Sequence, residues 1–185
     1  MKKLSLIVAL AVVLTMGGVF AAWNYYESGI TAASSTITIT SSADVSGQGS
    51  LSVNATTMQL SVDQKDTVSN IAVLNGFEDI VVTFEKTDES VAEATLKMKI
   101  TITGNSQWES KDLFTITTTD IALGNTTYVD DTHSTYTISK DVLKQHIKLG
   151  ADHVIANSTE HGQFLTKLQA VTISISISGE AAIPA

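Results

Sequence analysis

Four histidines, His133, His146, His153 and His161, are the side chains best suited to hold a metal or move a proton near neutral pH. Their spacing serves neither role. None lies four residues from another, as two ligands on one helix face would, and no His-Glu-x-x-His occurs. Asp130-Asp131, followed by His133, is the nearest approach to a metal cluster, and Asp152-His153 and Glu160-His161 are adjacent acid–histidine pairs. All read more simply as exposed polar residues in loops. The carboxylate sets Asp63/Asp66, Glu85/Asp88/Glu89 and Asp130/Asp131 lack calcium-loop spacing, and solvated loops describe them better than a glycosidase pair. Serine and threonine are abundant, but there is no Gly-x-Ser-x-Gly elbow. The absence of cysteine removes disulfides, thiolate metal sites and thiol nucleophiles together. The sequence therefore offers no catalytic residue, no metal ligand and no cofactor site. Trp108 has the chemistry to stack on a sugar ring, though a core position explains it equally well.

Three Thr-x-Thr runs, Thr36-Ile37-Thr38-Ile39-Thr40, Thr101-Ile102-Thr103 and Thr115-Ile116-Thr117, fall at irregular intervals. A solenoid presenting a threonine array would repeat at a fixed period, so strand propensity is the better reading.

The stretch that carries functional information is the first one. Lys2 and Lys3 precede about 19 uncharged residues, 4–22, which at ~1.5 Å per residue could just cross a ~30 Å hydrocarbon layer. The details favour a leader that is cut off. The densest apolar part, residues 4–14, is short. Gly17-Gly18 weakens the helix where a peptidase needs extended backbone. Val19-Phe20-Ala21 sets small residues three and one positions before a cut after Ala21, leaving Ala22 or Trp23 first. A retained N-terminal anchor is the alternative.

Residues 17–24, Gly-Gly-Val-Phe-Ala-Ala-Trp-Asn, behind an opening Met-Lys-Lys-Leu-Ser-Leu, resemble the leader and cleavage region of the TasA/camelysin family. The resemblance covers about 24 residues well; beyond them only the order of strands is similar. It implies processing by a SipW-type signal peptidase, a jelly-roll sandwich with helical excursions, and assembly into extracellular matrix fibres or pilus-like filaments. The camelysin branch implies a metal-dependent peptidase, for which no motif is present here. The departure is at Gln64-Lys65-Asp66, where the family commonly has a Pro-Gly-Asp turn. Sequons at Asn54, Asn125 and Asn157 carry no weight beside a leader of bacterial type.

A cut after Ala21 leaves 164 of the 185 residues, ample for one core. All 11 basic residues are lysines; two leave with the leader, so nine face 19 acids and the formal charge moves from −8 to −10. An acidic chain without arginine is a poor fit to nucleic acid or to an anionic membrane surface. It contacts a membrane only through an uncleaved leader.

The rest of the chain alternates with period two. Residues 35–41, 51–53, 58–62, 80–84, 94–103, 113–118, 121–123, 136–138 and 171–178 read as strands. In the clearest, Leu96, Met98, Ile100 and Ile102 point one way while Lys and Thr point the other. Residues 42–50 and the polar stretch 124–134 read as loops, and Asn75-Gly76 as a turn signal. Ser139 is placed to cap one short amphipathic helix over 140–149, stopped by Gly150. Residues 157–163 read as a loop or helical turn. The pattern predicts an all-β protein, an antiparallel two-sheet jelly-roll-like sandwich with one short inserted helix. A seven-stranded immunoglobulin-like sandwich is the alternative. Residues 1–21 form the leader, 22–34 an aromatic lead-in, 35–180 the sandwich and 181–185 a tail.

The expected function follows from residues 22–40. Trp23, Tyr25, Tyr26, Ile30, Ile37 and Ile39 would head a free strand after cleavage. It can dock on its own domain, or add to a sheet edge of the next copy, a contact that propagates head to tail. The reading is of a secreted, non-enzymatic fibre or filament subunit whose partners are itself and other cell-surface or matrix components. A cell-surface binding module, using the loops at 124–134, is the alternative, and a camelysin-like peptidase the third.

Overall fold

A computed structural model describes residues 35–42, 44–64, 71–117, 120–155 and 158–182. Fourteen strands and two helices follow in order: β1 Ser35–Ser41, β2 Gly49–Val53, β3 Thr57–Gln64, β4 Ala72–Asn75, β5 Ile80–Lys86, β6 Thr95–Thr103, β7 Gln107–Trp108, β8 Lys111–Asp112, β9 Phe114–Ile116, β10 Ile121–Asn125, β11 Thr127–Asp130, β12 His133–Ile138, α1 Lys140–His146, β13 Ile147–Leu149, α2 Ser158–Gln169 and β14 Thr172–Glu180.

Ten strands build two sheets. One runs β10-β6-β14-β1-β3-β4, the other β11-β12-β5-β2. Alternation decides which face is inward. On β6, Leu96, Met98 and Ile100 are buried between exposed Thr95, Lys97, Lys99 and Thr101. On β14, Ile173, Ile175 and Ile177 repeat the pattern. Facing them from the second sheet are Leu51, Ile80, Val82, Phe84 and Ile138, in one continuous core. The all-β two-sheet sandwich expected from the sequence is present, with six and four strands rather than seven.

The pairing is antiparallel throughout the two sheets, with one exception. β1 lies parallel to β14, in register Ile37 to Ile173 and Ile39 to Ile175, and antiparallel to β3 on its other side. The first and last described strands are therefore adjacent in the middle of the larger sheet.

Four local expectations change. The helix ends at His146, not at residue 149, because Ile147–Leu149 pairs antiparallel with Phe114–Ile116 and buries Ile147. Ladder bonds and burial there outweigh a last helical turn. The expected cap is in place: the Ser139 hydroxyl accepts from Val142 N at 3.4 Å. A second helix stands at Ser158–Gln169, burying His161, Phe164, Leu165 and Leu168 on one stripe. Gly162, in mid-helix, obscured that stripe in the sequence. The polar stretch 124–134 is largely strand, forming the end of β10, β11 and the start of β12. Asn75-Gly76 ends β4 but makes no hairpin, since β4 and β5 belong to different sheets. Gly76 has φ +86°, and a Cβ there would stand 2.2 Å from the Gln59 carbonyl oxygen, so glycine is required by the close approach of β3.

Candidate functional site

Of the residues expected to matter for cleavage and assembly, Ala21, Ala22, Trp23, Tyr25, Tyr26 and Ile30 lie outside the described residues. Ile37 and Ile39 are described, and both sit in the core of their own chain. They are held between β14 and β3, so in this state they are packed at home and not offered to a neighbour.

A sandwich has sheet edges, and unpaired edges are where another chain can add. Three of the four edges here are at least partly engaged. On β2, Leu51 N donates to the Ser42 carbonyl at 3.2 Å, and the Ser41 hydroxyl donates to the Leu51 carbonyl at 2.9 Å. On β4, Ala72 N donates to the His153 carbonyl at 2.9 Å, and Ile71 bridges Val154. On β10, the Leu123 carbonyl accepts the Tyr136 hydroxyl at 2.6 Å. The fourth edge, β11, is different. All of Thr127–Asp130 is exposed, with Tyr128 at 60% and Val129 at 56%.

The root of β11 is held firmly. The chain passes from the larger sheet to the smaller at Thr126, which is buried. Thr126 N donates to the Ala94 carbonyl at 2.8 Å, and Ala94 N returns a bond to Thr126 Oγ1 at 3.0 Å. Thr126 Oγ1 donates to Glu93 Oε2 at 2.9 Å and accepts from Ser134 Oγ at 2.7 Å. Glu93 Oε1 pairs with Lys86 Nζ at 2.7 Å. Desolvation pushes the Glu93 carboxyl up, but hydrogen bonds from Lys86, Ser134 and Thr126, with the Lys86 charge, outweigh it and hold the group below its ordinary value. The far end of β11 is shaped by a bulge between Tyr128 and Asp130 and by a tight turn. Asp130 Oδ1 accepts from His133 N at 2.8 Å and Thr132 N at 3.0 Å, and lies 2.9 Å from His133 Nδ1. The His133 contact is the main cause of its lowered pKa. The Tyr128 hydroxyl donates to Asp131 at 3.0 Å, which raises the phenol pKa and keeps it protonated.

The remaining candidates resolve locally. Asp130, nearest to a metal ligand in the sequence, spends its oxygen on closing the turn. Asp88 does the same for Ser90, whose hydroxyl and amide both bond it. Trp108 is buried, edge-on to Phe164 at 5.4 Å, and cannot stack on a ligand. His153 and His161, expected in exposed loops, are buried instead, since residues 150–155 and α2 fold back onto the β7–β8 hairpin. Among the described residues no three His, Asp or Glu side chains converge to hold a metal. Among them, too, no helix is long and apolar enough to cross a membrane.

The β11 edge was missed in the sequence because its stretch looks polar. The available signal was Tyr128-Val129 and Tyr136-Thr137-Ile138 flanking a turn at Asp130-Asp131-Thr132. No family model, no characterised protein and no solved structure matches the chain.

Proposed function

We propose that the protein is a secreted bacterial structural protein, a subunit of an extracellular matrix fibre or pilus-like filament assembled through its N-terminal segment. The observation that carries this reading is the β11 edge: the one edge with no neighbour among the described residues, bearing exposed Tyr128 and Val129. Residues 22–34 of one copy, headed by Trp23, Tyr25 and Tyr26, have the aromatic content and length to add there as a strand. Ladder bonds supply affinity and alternate side chains supply register.

The donor enters at β1, three strands in from the β10 edge, and the acceptor lies on the other sheet. Such a heterologous contact does not close on itself and propagates. The TasA/camelysin resemblance of residues 17–24 belongs to the same proposal. The test compares mature protein starting at Ala22 with protein starting at Ser35, by sedimentation and negative-stain microscopy. The longer form is expected to make filaments and the shorter to stay monomeric. Identical sedimentation of the two would sink the proposal.

A further inference from the structure

Beside the two sheets, the β7–β8 hairpin, residues 150–155 and α2 form a cap, and His153 sits inside it, 1% exposed. Its Nε2 lies 3.1 Å from the Asp112 carbonyl oxygen, so the neutral ring carries its proton on Nε2 and donates it there. Nδ1 is buried without a hydrogen-bond partner. The ring rests against Phe164 at 5.5 Å between centroids. The backbone of the same residue closes a sheet edge: its carbonyl accepts from Ala72 N at 2.9 Å, and the next residue, Val154, bridges Ile71. Gly150 N donates to the Leu113 carbonyl at 3.1 Å, tying the start of this stretch to the hairpin side.

We propose that residues 150–155 are a pH-sensitive latch over the β4 edge, opened when the His153 ring takes a second proton. The added proton would sit on Nδ1, creating an orphan donor and a charge in contact with Phe164. The groups that favour the charged ring, the Asp112 and Leu113 backbone and Glu109, are outweighed by burial. The hairpin brings Glu109 and Lys111, which act on the ring in opposite directions, and Asp112, whose carboxylate is engaged by Gln107. The latch brings Asp152, α2 brings Glu160, His161 and Lys167, and β4 brings no charge. Burial is the main cause that pushes His153 below the usual 6.5; the Asp112 and Leu113 backbone bonds oppose it. Burial pushes His161, one turn before Phe164, in the same direction. The folded cap thus binds fewer protons than the opened one. It is fully closed above pH 6.5 and loosens as pH falls from there through the depressed folded value.

The experiment is hydrogen exchange by mass spectrometry on the whole chain at pH 7.5 and 5.5, corrected for intrinsic rates. The comparison is with His153→Gln, which can still donate to Asp112 but cannot become charged. Peptides covering Ala72 and residues 150–155 are expected to exchange several-fold faster at pH 5.5 in the natural chain, up to the roughly tenfold that one histidine can supply over this interval, and clearly less so in the variant. Equal acceleration in both, or none in the natural chain, overturns the proposal. So does acceleration that survives in His153→Gln but vanishes in His161→Gln. A proton NMR titration of the natural chain serves if the Gln variant fails to pack. A His153 ring that titrates at or above 6.5 then overturns it.

Discussion

Ser134 Oγ donates to Thr126 Oγ1 at 2.7 Å, and both residues are buried, Ser134 completely. One belongs to the smaller sheet and the other to the crossover from the larger, so this pair of hydroxyls joins the sheets at the root of the open edge. Thr126→Val keeps the shape but strips a hydroxyl that three neighbours use. It is expected to lose roughly 2–3 kcal/mol, the cost of leaving buried polar groups unsatisfied. Thr126→Ser should stay within about 1 kcal/mol. Urea midpoints at constant slope check both.

Acid should weaken the same node. Glu93 is held below the ordinary 4.5, so the folded state binds fewer protons than the unfolded one around that pH. Its stabilisation is complete above 4.5 and is lost as pH falls through the depressed value. Glu93→Gln is expected to cost about 1–3 kcal/mol at neutral pH, because buried Lys86 loses its charged partner while the Glu93 side chain is itself only partly buried. It should also flatten the decline of the urea midpoint below pH 4.5.

Two glycines should respond in opposite directions. Gly76→Ala forces a Cβ against the Gln59 carbonyl at a positive φ, and a loss of at least ~2 kcal/mol is expected. Gly162→Ala sits in the interior of α2 with nothing within 4 Å of the new Cβ, and a gain of about 0.5–1 kcal/mol is expected. Thermal melts of the two variants provide the check.

At the open edge, Val129→Lys places a charge on the strand that is proposed to accept residues 22–34. It should leave the melting temperature within about 2 °C, as a change at an exposed position, while abolishing filaments seen by microscopy. Filaments of normal length from Val129→Lys protein would move the acceptor elsewhere.

The sandwich was legible because burial is written with period two: Leu96, Met98 and Ile100 alternate with Lys and Thr, and Ile173, Ile175 and Ile177 with Thr and Ser. What was hidden depends on partners distant in sequence. Ile147 reads as the last turn of a helix until Ile116 is set opposite it. Tyr128 and Val129 lie on an edge with no buried face, so no alternation marks them as strand. His153 and His161 look like loop residues because polarity in the sequence does not reveal that a hairpin and a helix close over them. The parallel neighbour of β1 was equally invisible, since nothing local to residues 35–41 names residues 173–177 as its match.

That neighbour sets the order in which the molecule can come into being. With β14 absent, the larger sheet falls into two unconnected pieces, β10 with β6 and β1 with β3 and β4. The strand that joins them is the last of the described strands. A chain delivered N-terminus first must hold Ile37 and Ile39 unpaired on one side until residues 172–180 arrive. Closing so long a loop is slow, and the waiting strand is exposed meanwhile. Loss of residues 172–180 would therefore leave the larger sheet as two separate pieces with unpaired edges rather than a smaller domain.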